Sequence, residues 1–205
     1  MLMLDFAGIA CAVLIGVIIY FFAGSSYLFL MLIFLLLSIA VTKYGYWEKK
    51  EAGLYEYDRG WKNVASNGLF PTIFAVLSPF FQWPIFASSI AAITSDKFAS
   101  EIGVMDKSPY DLSGLLKAKK TRAGKSGAVS LLGTLASLAG AAAIGLSAHF
   151  IFSANAEQMV AITIAGFIGN MADSIAGIFE EKGLGTKETS NMVCALIGGI
   201  LGGIL

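Results

Sequence analysis

The chain has 205 residues, 57% of them hydrophobic and only 14% charged. A water-soluble domain of this size cannot cover so much apolar surface, so lipid is the expected solvent. Lys plus Arg (14) balance Asp plus Glu (14), and a net charge of zero leaves no global case for nucleic-acid binding.

About 20 apolar residues cross the hydrocarbon core of a bilayer. On that measure the chain reads as seven spans, at 4–22, 27–42, 65–81, 85–102, 127–151, 157–179 and 191–205. Residues 1–22 are apolar but lack a basic n-region, so they read as a retained first helix and not a cleaved signal. Pro71, Pro79 and Pro84 interrupt the third and fourth spans, and one span plus a re-entrant segment is the competing reading of 65–102. A lone span there would put two basic loops on opposite faces, so two spans are predicted. The last span is short, which predicts tilt or incomplete depth.

Every Lys and Arg falls within 43–62, 97–125 or 182–187, while the connections 23–26, 82–84 and 152–156 carry none. Cytoplasmic loops retain Lys and Arg, so the basic loops and the N-terminus are expected inside and the C-terminus outside. Within 115–125, Lys117, Lys119, Lys120, Arg122 and Lys125 stand without an acid, a composition that suits anionic lipid or phosphate. Cys11 and Cys194 lie in separate apolar spans and suggest neither a disulfide nor a zinc site. The fold expected is an all-α, multi-pass membrane helix bundle forming one domain over 1–205. Small residues at helical spacing, Ser126, Ser130, Gly133, Ser137 and Gly140, then Gly198, Gly199, Gly202 and Gly203, predict close helix packing.

An internal echo points to the site. Asp96-Lys-Phe-Ala-Ser100 and Asp173-Ser-Ile-Ala-Gly177 are both Asp-x-x-Ala-small, toward the cytoplasmic ends of spans that run outside to inside. The echo is short of proof of a repeat, but it suggests two equivalent helices, each presenting one carboxylate. Gly166, Asn170, Asp173 and Gly177 share one helix face, with Asp173 roughly 10 Å inside the helix end at Glu180. A carboxylate at that depth costs about 2.5–3.5 kcal/mol on insertion scales, so it is paired, protonated or solvated. On the fourth span Asp96 and Ser100 share a face, and Lys97 and Glu101 form a second i, i+4 pair that is as readily a helix-end salt bridge as a functional one.

Two carboxylates in one cavity suit a hard cation such as Mg²⁺, completed by phosphate oxygens and water. Asp96, Asp173 and Glu101 are the candidate metal and catalytic residues. Phosphate-binding candidates lie at the same depth: Arg59, Lys62, Asn63 and Asn67 ahead of and within the third span, Lys97 and Ser100 beside the acids, Lys125 and Ser126 at the expected start of the fifth span, and Asn170. Gly124-Lys-Ser ends like a Walker A loop, but Lys119 stands where that pattern needs glycine, so a P-loop is excluded. His149 is the single histidine and maps to the outer end of its span, so no Ser-His-Asp system can be built.

Four separated stretches, Arg59-Gly-Trp-Lys-Asn-Val-Ala-Ser-Asn67-Gly68, Ser95-Asp-Lys-Phe-Ala-Ser-Glu-Ile-Gly103, Gly124-Lys-Ser-Gly-Ala-Val-Ser-Leu-Leu-Gly-Thr134 and Asp173-Ser-Ile-Ala-Gly177, together resemble the integral membrane family of the plant phytyl-phosphate kinase, called domain of unknown function 92. The family pattern has Asp-Thr-Leu where this chain has Asp96-Lys-Phe, and often Gly-Thr-Ser-Gly where it has Gly124-Lys-Ser-Gly127. The resemblance implies a CTP-dependent kinase that converts an isoprenyl monophosphate to its diphosphate. A lipid-alcohol kinase or a lipid cytidylyltransferase is the runner-up. Intramembrane acids also mark ion pathways, so a transporter or channel is the alternative of another class. Its sign would be a polar route outward from Asp173, yet beyond Asn170 come Ile168, Phe167, Ile164 and Ile162, with Thr163 the only hydroxyl. The bilayer is the expected surrounding partner, and a homo-oligomer is compatible with all of this.

Overall fold

The computed structural model describes residues 4–55, 60–106, 109–111, 119–125 and 127–205. It is helical, in the order α1 Phe6–Ala23, α2 Ser25–Lys43, α3 Tyr46–Glu51, α4 Trp61–Val76, α5 Trp83–Gly103, α6 Leu131–Phe152, α7 Ala156–Glu180 and α8 Lys187–Gly202. Seven of these are long, and α3 is a six-residue connector. Four of them, α1, α2, α6 and α7, are long and apolar enough to cross a membrane. At about 1.5 Å per residue the 16-residue α4 and α8 reach roughly 24 Å. Residues 65–102 are two helices, with Pro71 carried inside α4 and Pro84 in the first turn of α5, where its missing N–H costs nothing.

Helix boundaries follow local chemistry. Asp5 caps α1 by accepting the Gly8 amide at 2.6 Å. Gly24, at φ +89°, turns the chain directly from α1 into α2. Asn155 and Gln158 form a reciprocal capping box at the start of α7, and Thr186 and Thr189 form another at the start of α8. The α6 helix begins at Leu131, capped by Ser130, four residues later than the sequence suggests. Gly124 and Gly127, just ahead of it, both hold positive φ, +82° and +71°, which stops a helix from running through them.

Three two-residue strands, absent from the sequence expectation, lie between α5 and α6. They are β1 Tyr110–Asp111, β2 Lys119–Lys120 and β3 Ala128–Val129, antiparallel in the order β2-β1-β3.

The centre of the bundle is α5, which packs against α2, α4, α6, α7 and α8. Its run from Phe86 to Ser95 is buried throughout, and it includes Ser88, Ser89, Thr94 and Ser95. The outer α1 and α2 expose Phe6, Phe21, Phe22, Phe29 and Leu36. A polar-flecked centre inside an apolar shell is the arrangement that lipid favours. Ser89 bonds the Ala195 carbonyl at 2.8 Å and Ser95 the Ser137 carbonyl at 3.0 Å, tying α5 to α8 and α6. Close approach is possible only because side chains are missing: a Cβ on Gly198 would lie 2.5 Å from the Ala92 Cβ, and one on Gly169 would lie 2.6 Å from the same atom.

Candidate functional site

The C-terminal ends of α5 and α7 and the N-terminal ends of α6 and α8 surround a cavity of about 310 Å³. Asp96 comes to it from α5 and Asp173 from α7, and the two carboxyls stand close enough to share a hydrogen bond. The Asp173 Oδ1 is buried without a hydrogen-bond partner. Like charges at that range repel, and a cation between them removes the repulsion. The helix geometry is simple. Asp96 and Ser100 lie one turn apart on α5, Asn170 and Asp173 lie one turn apart on α7, and all four line the cavity.

Glu101 also lines the cavity, yet its oxygens are engaged elsewhere. Oε1 accepts from Lys97 at 2.7 Å and from the Thr42 hydroxyl at 3.0 Å, and Oε2 accepts from Lys49 at 2.8 Å. Lys49 is only 2% exposed and donates further to the carbonyls of Thr42 and Val41 at the end of α2. This buried cluster pins the α2–α3 corner to α5. Lys97 serves it from within α5, so its ammonium is directed at Glu101. Among the described residues no group of three His, Cys, Asp or Glu side chains is arranged to hold a metal ion. Besides Glu101, the carboxylates that line the cavity are Asp96, Asp173 and Glu180.

Lys125 lines the cavity from the Gly124–Gly127 turn. A Cβ on Gly127 would meet the Ile178 amide at 3.1 Å and the Ser174 carbonyl at 3.2 Å, so the turn sits directly on α7. The Lys125 ammonium is bound to the Asp111 carboxylate at 2.6 Å, which pushes its pKa above the ordinary lysine value. It thus stays charged through neutral pH. Lys62, Asn63 and Asn67 are not in the cavity lining. Asn67 donates to the Asn63 carbonyl of its own helix at 2.8 Å, and Lys62 is exposed. The first turns of α4 reach the cavity indirectly, through Asn191, which lines it and donates to Ser66 at 3.3 Å. Arg59 and Ser126 lie outside the described residues.

A family model for an integral membrane protein matches residues 1–198. The chain belongs to the integral membrane family DUF92. A family relative from Methanocaldococcus jannaschii, an uncharacterized membrane protein, is 37% identical over 97% of this chain and 84% of its own length. An uncharacterized membrane protein of Synechocystis is 28% identical over 83% of this chain and 69% of its own. The chloroplastic protein VTE6 of Arabidopsis thaliana is 28% identical over 98% of this chain, which spans 64% of the plant protein. No solved structure matches the chain significantly.

The cavity of this family member also contains residues that the sequence reading passed over. Lys187, Ser190 and Asn191 reach it from the first turns of α8, and Ser130 and Thr134 from α6. Lys187 lies within electrostatic reach of Asp173. The signal available was Asn191, an amide in an apolar helix, and the Thr186–Thr189 box that announces the helix start.

Proposed function

We propose that this protein is a membrane phosphotransferase, a CTP-dependent kinase that makes a prenyl diphosphate from a phytyl or polyprenyl monophosphate at the cytoplasmic membrane face. The observation that carries the reading is the meeting of Asp96 and Asp173 in a cavity that Lys125 and Lys187 also line. The preference for CTP and for an isoprenoid acceptor comes from the resemblance to the plant phytyl-phosphate kinase family. Membership of DUF92 over residues 1–198 supports the membrane setting of the reading.

The residues present fit a divalent cation. Asp173 keeps a buried oxygen without a partner and has Asp96 beside it. Mg²⁺ takes one or two carboxylates and fills its octahedron with phosphate oxygens and water. When bound, the ion would neutralise charge on the transferring phosphoryl group.

The chain supplies the rest. An acceptor phosphate oxygen attacks the γ-phosphorus of the donor, a new P–O bond forms, and the bond to the β-phosphate oxygen breaks to release the nucleoside diphosphate. A phosphate monoester is largely ionised near neutral pH, so this step asks for no strong base. His149 is accordingly remote, at the far end of α6, bonded at 2.7 Å to the Ala154 carbonyl. Asn170, Ser100 and Thr134 offer hydrogen bonds, and the lysines attract and orient phosphate.

The cavity lining extends along α7 no deeper than Asn170, and beyond it Gly166 packs on Ala91 and Gly169 on Ala92. This supports a one-sided site over an ion pathway. The test is purified protein with Mg²⁺, each labelled nucleoside triphosphate, and prenyl alcohols against prenyl monophosphates. Label from the γ-phosphate of CTP is expected in a prenyl diphosphate. Transfer to an alcohol, transfer of a cytidylyl group, or no transfer at all overturns the proposal.

A further inference from the structure

The carboxylate pair is flanked on two sides. The α6 helix packs on α5 and α7, and α8 packs on the same two helices, while α6 and α8 are not packed together. On the α6 side stands Lys125, in the turn beside β1 and β3. On the α8 side stand Lys187, Ser190 and Asn191, at i, i+3 and i+4, hence on one helix face, and all three line the cavity. Lys187 is exposed at the rim, whereas Ser190 and Asn191 are each 4% exposed beneath it. The unpartnered Asp173 Oδ1 belongs to α7, the helix against which both α6 and α8 pack.

Phosphoryl transfer between two phosphorylated substrates needs two anion positions with the charge-neutralising centre between them. Resting on the kinase reading above, we propose that Lys187, Ser190 and Asn191 bind the phosphate monoester of the lipid acceptor, and that the Lys125 side takes the nucleotide. The surroundings of the Lys187 side support the assignment. Lys125 belongs to a polar loop layer with β1, β2 and β3. Asn191 is bonded to Ser66 of α4. From that junction the exposed Leu69 and Ile73 continue along α4. An apolar tail whose phosphate sits at Lys187 has this surface of α4 to follow.

The experiment uses the full chain in detergent with Mg²⁺, CTP and farnesyl monophosphate. Lys187→Ala should raise the KM for farnesyl monophosphate about tenfold or more, the scale of a lost charge-assisted hydrogen bond, and change the KM for CTP less than about threefold. Lys187→Arg should restore most of the loss. Asn191→Asp, which sets a negative charge in the same pocket, should show the same split. Lys182→Ala, at an exposed position outside the cavity, should alter neither constant. Equal increases for both substrates, or an increase for CTP alone, overturns the assignment while leaving the kinase reading intact. Direct titration of farnesyl monophosphate onto wild type and Lys187→Ala separates the two ideas. Lys187-dependent binding without turnover sustains the subsite and sinks the kinase reading, and absence of both sinks the two together.

Discussion

The Glu101 cluster makes the sharpest prediction about what holds the site in place. Glu101→Gln keeps the side-chain volume and removes the one negative charge between Lys49 and Lys97. The two ammonium groups are 1% and 9% exposed, so water cannot replace the lost partner. Lys49 retains its carbonyls from Val41 and Thr42, whereas Lys97 loses the carboxylate it holds at 2.7 Å. Two charge-assisted hydrogen bonds at about 1.5–3 kcal/mol each, or equivalently the removal of one member of a buried ion pair at about 3–5 kcal/mol, give the same scale. Glu101→Gln should therefore destabilise the fold by about 3–5 kcal/mol, measured as helix loss in a mixed-micelle SDS titration. Lys43→Ala, at the exposed position next to Thr42, should cost under about 1 kcal/mol. Replacing the whole cluster with Lys49→Met, Glu101→Leu and Lys97→Met should recover much of the loss, because no charge is left buried. If Glu101→Gln unfolds with wild type yet loses Mg²⁺-dependent activity, the reasoning fails and Glu101 returns to the metal site.

Asp96→Asn and Asp173→Asn should each lower turnover by about 100-fold or more while the protein still extracts and elutes as wild type; wild-type activity in both would refute the metal reading. Cysteines introduced at Arg122 and Ser153 should react with impermeant reagents from opposite faces of sealed vesicles, since those positions precede and follow α6, and labelling from one face would refute the seven-span orientation. Lys125→Ala should raise the KM for CTP about tenfold, against less than threefold for the exposed Lys120→Ala. The Asp111 partner raises the Lys125 pKa, so this contribution should persist through neutral pH and fade only as pH climbs through that raised value.

The helices were legible because lipid imposes a length and a composition on each. The carboxylate pair was legible too: an acid in an apolar run is costly, and two in matching motifs drew attention before any geometry was known. What stayed hidden depended on distance between segments. Lys49 reads as one more loop cation, yet it is the largest fully buried side chain among the described residues, because Glu101, 52 residues later, meets it. Two-residue strands have no period to read, and β1 finds its partners only through residues 119–120 and 128–129. Lys187 looks like a turn residue, and its place in the cavity follows from how α8 lies against α7.

The missing side chains at Gly169 and Gly198 have a consequence for how such a protein diversifies. With backbone against Ala92 on both sides, the floor of the cavity is a fused block that leaves α5, α7 and α8 no room to slide. The roof is made differently, from residues 53–55, 109, 123–125 and 127–129, where an ion pair holds Lys125 to Asp111 of β1. New substrates can therefore be accommodated by rewriting the roof without re-registering the block. A laboratory selection for altered nucleotide use should accumulate its substitutions there and leave Ala92, Gly169 and Gly198 untouched.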